Sequence, residues 1–527
     1  MKKNKKIIIV IGVIICLLVI GALFLIFKNN IFTTVDTSVK NSNTEYRISD
    51  NTLSNFDLYF LQKENNSKNK VYSPLSIKYA LSILKDGTSG DSKKQIENII
   101  GNYNTKKYTN SSNVSFANGM FIRNDYKKNI KDEYINLLKE KYNAEIIYDN
   151  FKSPDNINKW INDKTLGLIP NMLDDTNDNF LFLINALAID MDWKYVIQPI
   201  PEGTLYDEER SSYYDAFSVS YPHEDYYAGV SWLDSNHYKY IKFNNQTLVN
   251  GLEIASSINN YDIVSEIGEV NIRKTVGSAY DKWKSEGNCD PSDYEDTNVF
   301  LNRYIKEIDK GYKDVGSSTD YTFYVDDDIK VFQKDLKSYN GLSLEYIGFM
   351  PKNGSLDKFV ETLDAKKLNN YISKLKTIEL NNFTKGKITR ITGLMPIFKF
   401  EYELEFQKDL ESLGVTNVFA PNHANLINLS SDKSLYISEA KHKANIEFSN
   451  EGIKAAAATV VGGAGDVNCS FEYDYDVPVE EIDITFDKPY MFIIRDKDNK
   501  EVWFAGTVYE PISCDESKTC FINDNQM

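Results

Sequence analysis

Histidine and cysteine are scarce in this chain, at four and five of 527 residues. So few leave little material for a His/Cys metal cluster. A basic surplus is missing as well. Lysine and arginine number 60 against 76 aspartates and glutamates, a net charge of −16, which argues against a nucleic-acid binder. Enzyme signatures are also missing: there is no G-x-S-x-G, H-E-x-x-H, Walker-type G-x-x-x-x-G-K or C-x-x-C. The glycines of Gly462-Gly463-Ala464-Gly465 do not follow a strand–helix nucleotide pattern, so no phosphate cradle is expected. The chain is therefore expected to have no catalytic residues, no cofactor and no metal. What it does have is an apolar content of 42 % and 35 tyrosines. That excludes wholesale disorder and points to extensive amphipathic surface. At roughly 150 residues per domain, the length alone suggests three or four domains.

The longest apolar stretch stands at the start. Ile7 to Phe27 is an unbroken run of 21 residues, preceded by Lys2, Lys3, Lys5 and Lys6. About 20 residues span the hydrocarbon core as a helix. The positive-inside rule keeps residues 1–6 in the cytoplasm and sends everything beyond Lys28 outside. The rival is a cleaved signal peptide, which calls for a shorter apolar region and a small-residue cleavage site. Phe27-Lys28-Asn29-Asn30 offers no such site, and Val13-Ile14-Ile15 ahead of Cys16 lack the small residues of a lipoprotein box. An uncleaved single-pass anchor at 7–27 is the favoured reading, with the chain secreted if the segment is cleaved. Residues 28–50, rich in Asn, Thr and Ser, suit a tether. Cys514 and Cys520 could close a disulfide in an oxidising space or stay free.

Further along, the patterning predicts a helix over Thr52–Lys63, a strand at Val71 and a helix over Ile77–Leu84 capped by Ser76. Helices are expected near Lys93–Ile100, 130–143 and 155–164. The run Phe180–Ile189 is too apolar to alternate and reads as a strand buried on both faces. The C-terminal third is strand-rich, with segments expected at Leu342–Met350, Ile397–Glu403, Leu435–Ile437, Ala444–Phe448, Ile482–Phe486, Tyr490–Ile494 and Val502–Val508. The last two form a hairpin around Asp496–Lys500. That acidic turn lacks the spacing of a calcium loop.

The most unusual stretch is Asn450–Gly465, NEGIKAAAATVVGGAG. Its small side chains let an extended segment slide between two strands, as an exposed bait that joins a sheet by strand addition. Around it stand Val71-Tyr72-Ser73-Pro74-Leu75-Ser76-Ile77, Asn118-Gly119-Met120-Phe121, Asn158-Lys159-Trp160-Ile161, Ile184-Asn185-Ala186 with Asp192-Trp193, and Ser438–Glu447. Asp487-Lys488-Pro489-Tyr490 and Phe504–Val508 close the set. In this order and spacing, from about Asn51 to Pro511, the chain resembles the serpins, as a membrane-anchored, bacterial-type member.

The resemblance implies an α+β fold with a large central β-sheet, surrounding helices and an exposed reactive-centre loop over residues 450–480. It implies a suicide-type inhibitor of extracellular serine or cysteine proteases, not an enzyme. The protease cuts the loop, the loop inserts into the sheet, and the acyl-enzyme is trapped. Gly452, Ile453, Ala455, Ala456, Ala457, Ala458 and Thr459 match the family's hinge. Ser73, Ser76, Asn185 and His442 match the polar cluster that gates sheet opening. Trp193 matches the tryptophan where the loop first enters. In inhibitory members the scissile bond lies about fourteen residues past the hinge glycine, because the inserted strand spans the sheet at about 3.3 Å per residue. That places the bond at Asp466–Val467, or at Gly465 with a one-residue offset. The loop is long, and a cut beside Phe471, Tyr473 or Tyr475 would suit a chymotrypsin-like enzyme. Ile453 stands where a small residue is usual and Asn450 where an acidic anchor is usual. They keep open the alternative of a non-inhibitory serpin-fold surface binding protein.

Residues 203–316 do not follow the family pattern. They hold 20 acidic and 11 basic residues and 13 of the 35 tyrosines, with helices expected near Val270–Lys284 and Asn298–Lys313. They read as a solvated decoration or as a docking surface for a protein partner, since Tyr is favoured at interfaces. The expected organisation is thus one domain in two parts, 51–202 and 317–512, interrupted by the insertion and followed by a tail at 513–527.

Overall fold

The computed structural model describes residues 45–176, 179–194, 231–244, 269–287, 294–311, 321–378, 383–384, 387–449, 452–453, 479–513 and 521–522. The apolar run 7–27, Ala455–Thr459 and the Asp466–Val467 bond lie outside these. Among the described residues no helix is long and apolar enough to cross a membrane. The chain divides into two compact units, Met1–Tyr46 and Arg47–Met527; the second carries all that follows.

It opens with helix α1 (Phe56–Lys63), strand β1 (Lys70–Tyr72), α2 (Pro74–Gly87) and α3 (Gly90–Ile100). Helix α1 begins four residues later than the pattern suggested. The Asp57 carboxylate accepts from both the Ser54 N–H and its hydroxyl, so Ser54 forms a turn ahead of the helix. Helix α2 is capped by Ser73 rather than Ser76. The Ser73 Oγ accepts the Ser76 N–H at 3.1 Å, and Pro74 takes the first helical position, where a missing N–H costs nothing. Asp57 and Lys78 form an ion pair at 2.6 Å with both side chains fully buried, fastening α1 to α2. Removing either partner would leave an uncompensated buried charge.

Strand β2 (Val114–Arg123), α4 (Asp132–Tyr142), β3 (Glu145–Asp149), α5 (Asp155–Lys164), β4 (Leu181–Ile189) and β5 (Met191–Asp192) follow. After β5 come a short helix α6 (Ser231–Ser235) and β6 (Tyr240–Asn244). Then α7 (Glu269–Ser285) and α8 (Thr297–Gly311) form a hairpin with its own core of Val276, Tyr280, Phe300, Leu301 and Ile305. These are the helices expected within the insertion. The remainder runs β7 (Tyr321–Val325), β8 (Ile329–Asp335), β9 (Leu344–Pro351), α9 (Leu356–Glu361), α10 (Ala365–Ile372), β10 (Lys376–Ile378), β11 (Phe383–Thr384), β12 (Lys387–Pro396), β13 (Phe398–Leu404), α11 (Phe406–Ser412), β14 (His442–Phe448), β15 (Gly452–Ile453), β16 (Val479–Asp483), β17 (Tyr490–Asp496), β18 (Val502–Val508) and β19 (Phe521–Ile522).

The largest sheet has seven strands in the order β1-β18-β17-β9-β8-β7-β10. Its β17–β18 hairpin turns at an Asp496 carboxylate that accepts the Asp498 and Asn499 N–H groups, a plain Asx turn. A second sheet is built on β12, paired with β6 on one edge and β16 on the other. The expected central sheet is divided. One part is β3-β2-β4 and the other is β13-β14, with no ladder from β4 to β14 among the described residues. Leu435–Ile437, expected as a strand, lies outside any strand and forms a wall of the cavity between the two parts.

Candidate functional site

The two parts of the divided sheet face each other across a cavity of about 650 Å3. Leu181 to Leu187 of β4 line one side, and His442, Lys443 and Ala444 of β14 line the other. Ser73 and Ser76 at the start of α2 form part of its lining, together with Phe406 and Leu410 of α11. Higher up, a cleft of about 20 Å3 runs between Leu187–Ile189 and Asn445–Glu447. At the top the gap admits one strand. There β15 pairs antiparallel with β5: Gly452 with Asp192, and Ile453 with Met191.

Faces follow from the alternation along β4. Ile184 joins the core that includes Ile157 and Ile161 of α5. Asn185 points the other way, towards the α2 side. There its Nδ2 donates to Asn118 Oδ1 at 2.7 Å, and Asn118 Nδ2 donates to the Tyr142 carbonyl at 2.8 Å. Asn185 Oδ1 is buried and has no hydrogen-bond partner.

Across the cavity, His442 Nε2 accepts the Ser73 backbone N–H at 3.0 Å. The ring stands 5.8 Å from that of Phe406. Burial holds its imidazole well below the usual range, at about 4, so the neutral form is the acceptor. The structure thus brings Ser73, Ser76 and His442 together and places Asn185 on the opposite wall without a bond to them.

Trp193 is fully buried above the cavity. Its Nε1 donates to the Ser449 carbonyl at 2.9 Å, tying the top of β5 to the base of the loop. Its ring meets Tyr346 and Phe448 edge-on at 5.9 and 5.4 Å. Residues 165–173, which follow α5, cross from one sheet part to the other. Asn158 holds them through the Met172 and Leu173 N–H groups. On the far side Asn445 Nδ2 reaches the Leu168 carbonyl at 3.2 Å and Lys443 Nζ reaches that of Asn171 at 3.3 Å. Asn118 and Phe406 were not singled out as site residues from sequence. Asn118 joins the site through its register opposite Asn185, which the linear sequence does not show.

The described residues hold no group of three or more His, Cys, Asp or Glu side chains able to bind a metal. The arrangement is two strand edges, a gap, and the short β15–β5 pair at its mouth.

A family described as "Serpin (serine protease inhibitor)" matches residues 51–200 and 317–511. The chain belongs to the serpin family. An uncharacterized serpin-like protein of Methanosarcina acetivorans is 25 % identical over 476 residues, 86 % of this chain and 84 % of that protein. Plasminogen activator inhibitor 1 of Sus scrofa is 34 % identical over 129 residues, 24 % of this chain and 29 % of the inhibitor. Leukocyte elastase inhibitor A of Mus musculus is 30 % identical over 217 residues, 41 % of this chain and 53 % of the inhibitor. The chain thus spans less than two thirds of the two named inhibitors. Among solved structures, the thermophilic serpin tengpin in its native state shares the fold at a TM-score of 0.52 and 19 % identity, covering 89 % of this chain and 93 % of its own.

The depressed His442 pKa fixes a pH dependence. The unfolded chain takes up a proton at this residue below 6.5, and the folded chain only near 4. Stability from this group is therefore complete above pH 6.5 and declines as pH falls towards 4, by about 3 kcal/mol in all. Urea unfolding of wild type and His442→Gln across that window tests it. The wild type should lose about 3 kcal/mol more than the variant, and parallel pH profiles would contradict the assignment.

Proposed function

We propose that this protein is a suicide-type inhibitor of serine or cysteine proteases. The protease cuts the loop after β15, nominally at Asp466–Val467, and the freed segment enters the gap between β4 and β14. The observation that carries this reading is the hinge: Gly452 and Ile453 pair antiparallel with β5 at the mouth of an open sheet.

Continuing that register sets Ala455 opposite Ile189, Ala457 opposite Leu187 and Thr459 opposite Asn185. Directly opposed residues share a face. Ile453, Ala455, Ala457 and Thr459 then point towards α2, while Lys454, Ala456 and Ala458 point towards α5. The Thr459 hydroxyl arrives where the buried Asn185 Oδ1 has no partner, and a buried acceptor gains most from a new donor. Lys454, the one charge between Gly452 and Gly465, stays on the outer face. Ile453 is β-branched and apolar, so it suits a strand. In this reading Ser73, Ser76 and His442 form the polar seam of the β14 side, Asn185 that of the β4 side, and Trp193 anchors the mouth.

The 21-residue apolar run at 7–27 supports a single-pass membrane anchor with the rest of the chain outside the cell, or a secreted protein if it is cleaved. Recovery of uncleaved chain in the salt-washed soluble fraction would contradict the anchor. A second reading, a non-inhibitory binding protein displaying residues 203–316, is favoured by the self-contained core of the α7–α8 hairpin.

The test is incubation with a protease panel that includes Asp-preferring enzymes, followed by denaturing electrophoresis. A denaturant-resistant covalent complex is expected. Ala457→Arg, which faces inward, should abolish it while the loop stays cleavable; Ala456→Arg, facing α5, should impair it less. Cleavage of the wild-type loop without any complex would favour the binding-protein reading.

A further inference from the structure

Asp192 is held from several sides at the mouth of the gap. Its carbonyl accepts the Lys337 N–H at 2.9 Å. Its Oδ2 accepts Lys337 Nζ at 2.7 Å and the Tyr339 hydroxyl at 3.4 Å. Its remaining edge pairs with Gly452, the first hinge residue. Lys337 and Tyr339 stand in the turn joining β8 to β9, a turn closed by the reciprocal Tyr339–Leu342 backbone bonds. The next residue, Trp193, bridges Leu336 of the same segment, and Lys194 N–H donates to the Asp335 carbonyl. The seven-stranded sheet thus grips the residue on which the hinge makes its first pair.

We infer that Lys337 and Tyr339 are positioning residues for loop insertion, fixing the Asp192 backbone as the template that sets the register of the incoming strand. The inference rests on the insertion reading above. Among the described residues, Lys337 and Asp192 form an ion pair at this mouth.

Register is the property at stake. A slip of one residue transfers every side chain to the other face. It would turn Lys454 inward and carry Thr459 away from Asn185. The pair itself is half exposed on the lysine side, at 50 % and 26 %. Exposed pairs add little to global stability, so its loss should alter the rate and fidelity of insertion rather than the fold.

The experiment uses the full chain in detergent. After the loop is cut by a protease, pulsed hydrogen–deuterium exchange follows protection of peptides covering β4 and β14, whose facing edges gain hydrogen bonds on insertion. Lys337→Met should acquire protection about three-fold more slowly than wild type, a factor within the range of a partly exposed ion pair. Lys337→Arg, which keeps the charge, should restore most of the rate. Both variants should unfold at the wild-type temperature before cleavage. A wild-type rate in Lys337→Met overturns the positioning role, as does equal slowing in Met and Arg variants with a matching loss of uncut stability. If wild type gains no protection after cleavage, the insertion reading itself fails, a result separate from any effect of Lys337.

Discussion

A strand edge carries N–H and C=O groups that call for partners, and here the edges of β4 and β14 face each other across a cavity instead of pairing. The surrounding structure is arranged to hold that separation. The Ser73 N–H and His442 ring link β14 to the start of α2 on one wall. Asn118 and the end of α4 hold Asn185 on the other. Residues 165–173 reach across the front through Asn445 and Lys443. Trp193 and Asp192 close the top against the loop base. A segment of matching length and small side chains would satisfy both edges at once. The small residues Ala455 to Thr459, which follow Gly452 and Ile453 in the sequence, are proposed as that segment.

The energetic asymmetry follows from composition. Ala455 to Ala458 lose little side-chain entropy when ordered, and two new ladders of backbone bonds each contribute about 1 kcal/mol per bond. In the proposed mechanism an uncut loop is tethered at both ends, which opposes its descent into the gap. Cleavage would remove one tether and let both open edges gain partners. In that proposal polar groups would add selectivity of position: Asn185 Oδ1 would reward one register, and Lys454 would penalise the neighbouring one.

Much of the fold was legible in the sequence. The two insertion helices and the alternating β14 follow from periodicity, β4 from a continuous apolar run, and the β17–β18 hairpin from its polar turn. Their existence was clearer than their ends: α1 starts late because Asp57 bonds back to Ser54, and α2 starts early because Pro74 follows a better cap in Ser73. Leu435–Ile437 lines the cavity instead of forming a strand, because three apolar residues beside a cavity and three in a strand look alike in sequence. For the site, His442, Ser73 and Trp193 could be named, but Asn118 and Lys337 could not. Their roles depend on strand register and on a turn 145 residues from Asp192, which linear spacing does not encode. The buried Asp57–Lys78 pair was likewise illegible, since each charge alone reads as solvent-exposed.

The gap between β4 and β14 is, in the proposed mechanism, a receptor for the chain's own loop. Thermal unfolding of the full chain before and after a single cut in the loop tests it most directly. Filling the gap should raise the midpoint by at least about 10 °C, with no loss of secondary structure. A midpoint that is unchanged or lowered after quantitative cleavage would contradict the account.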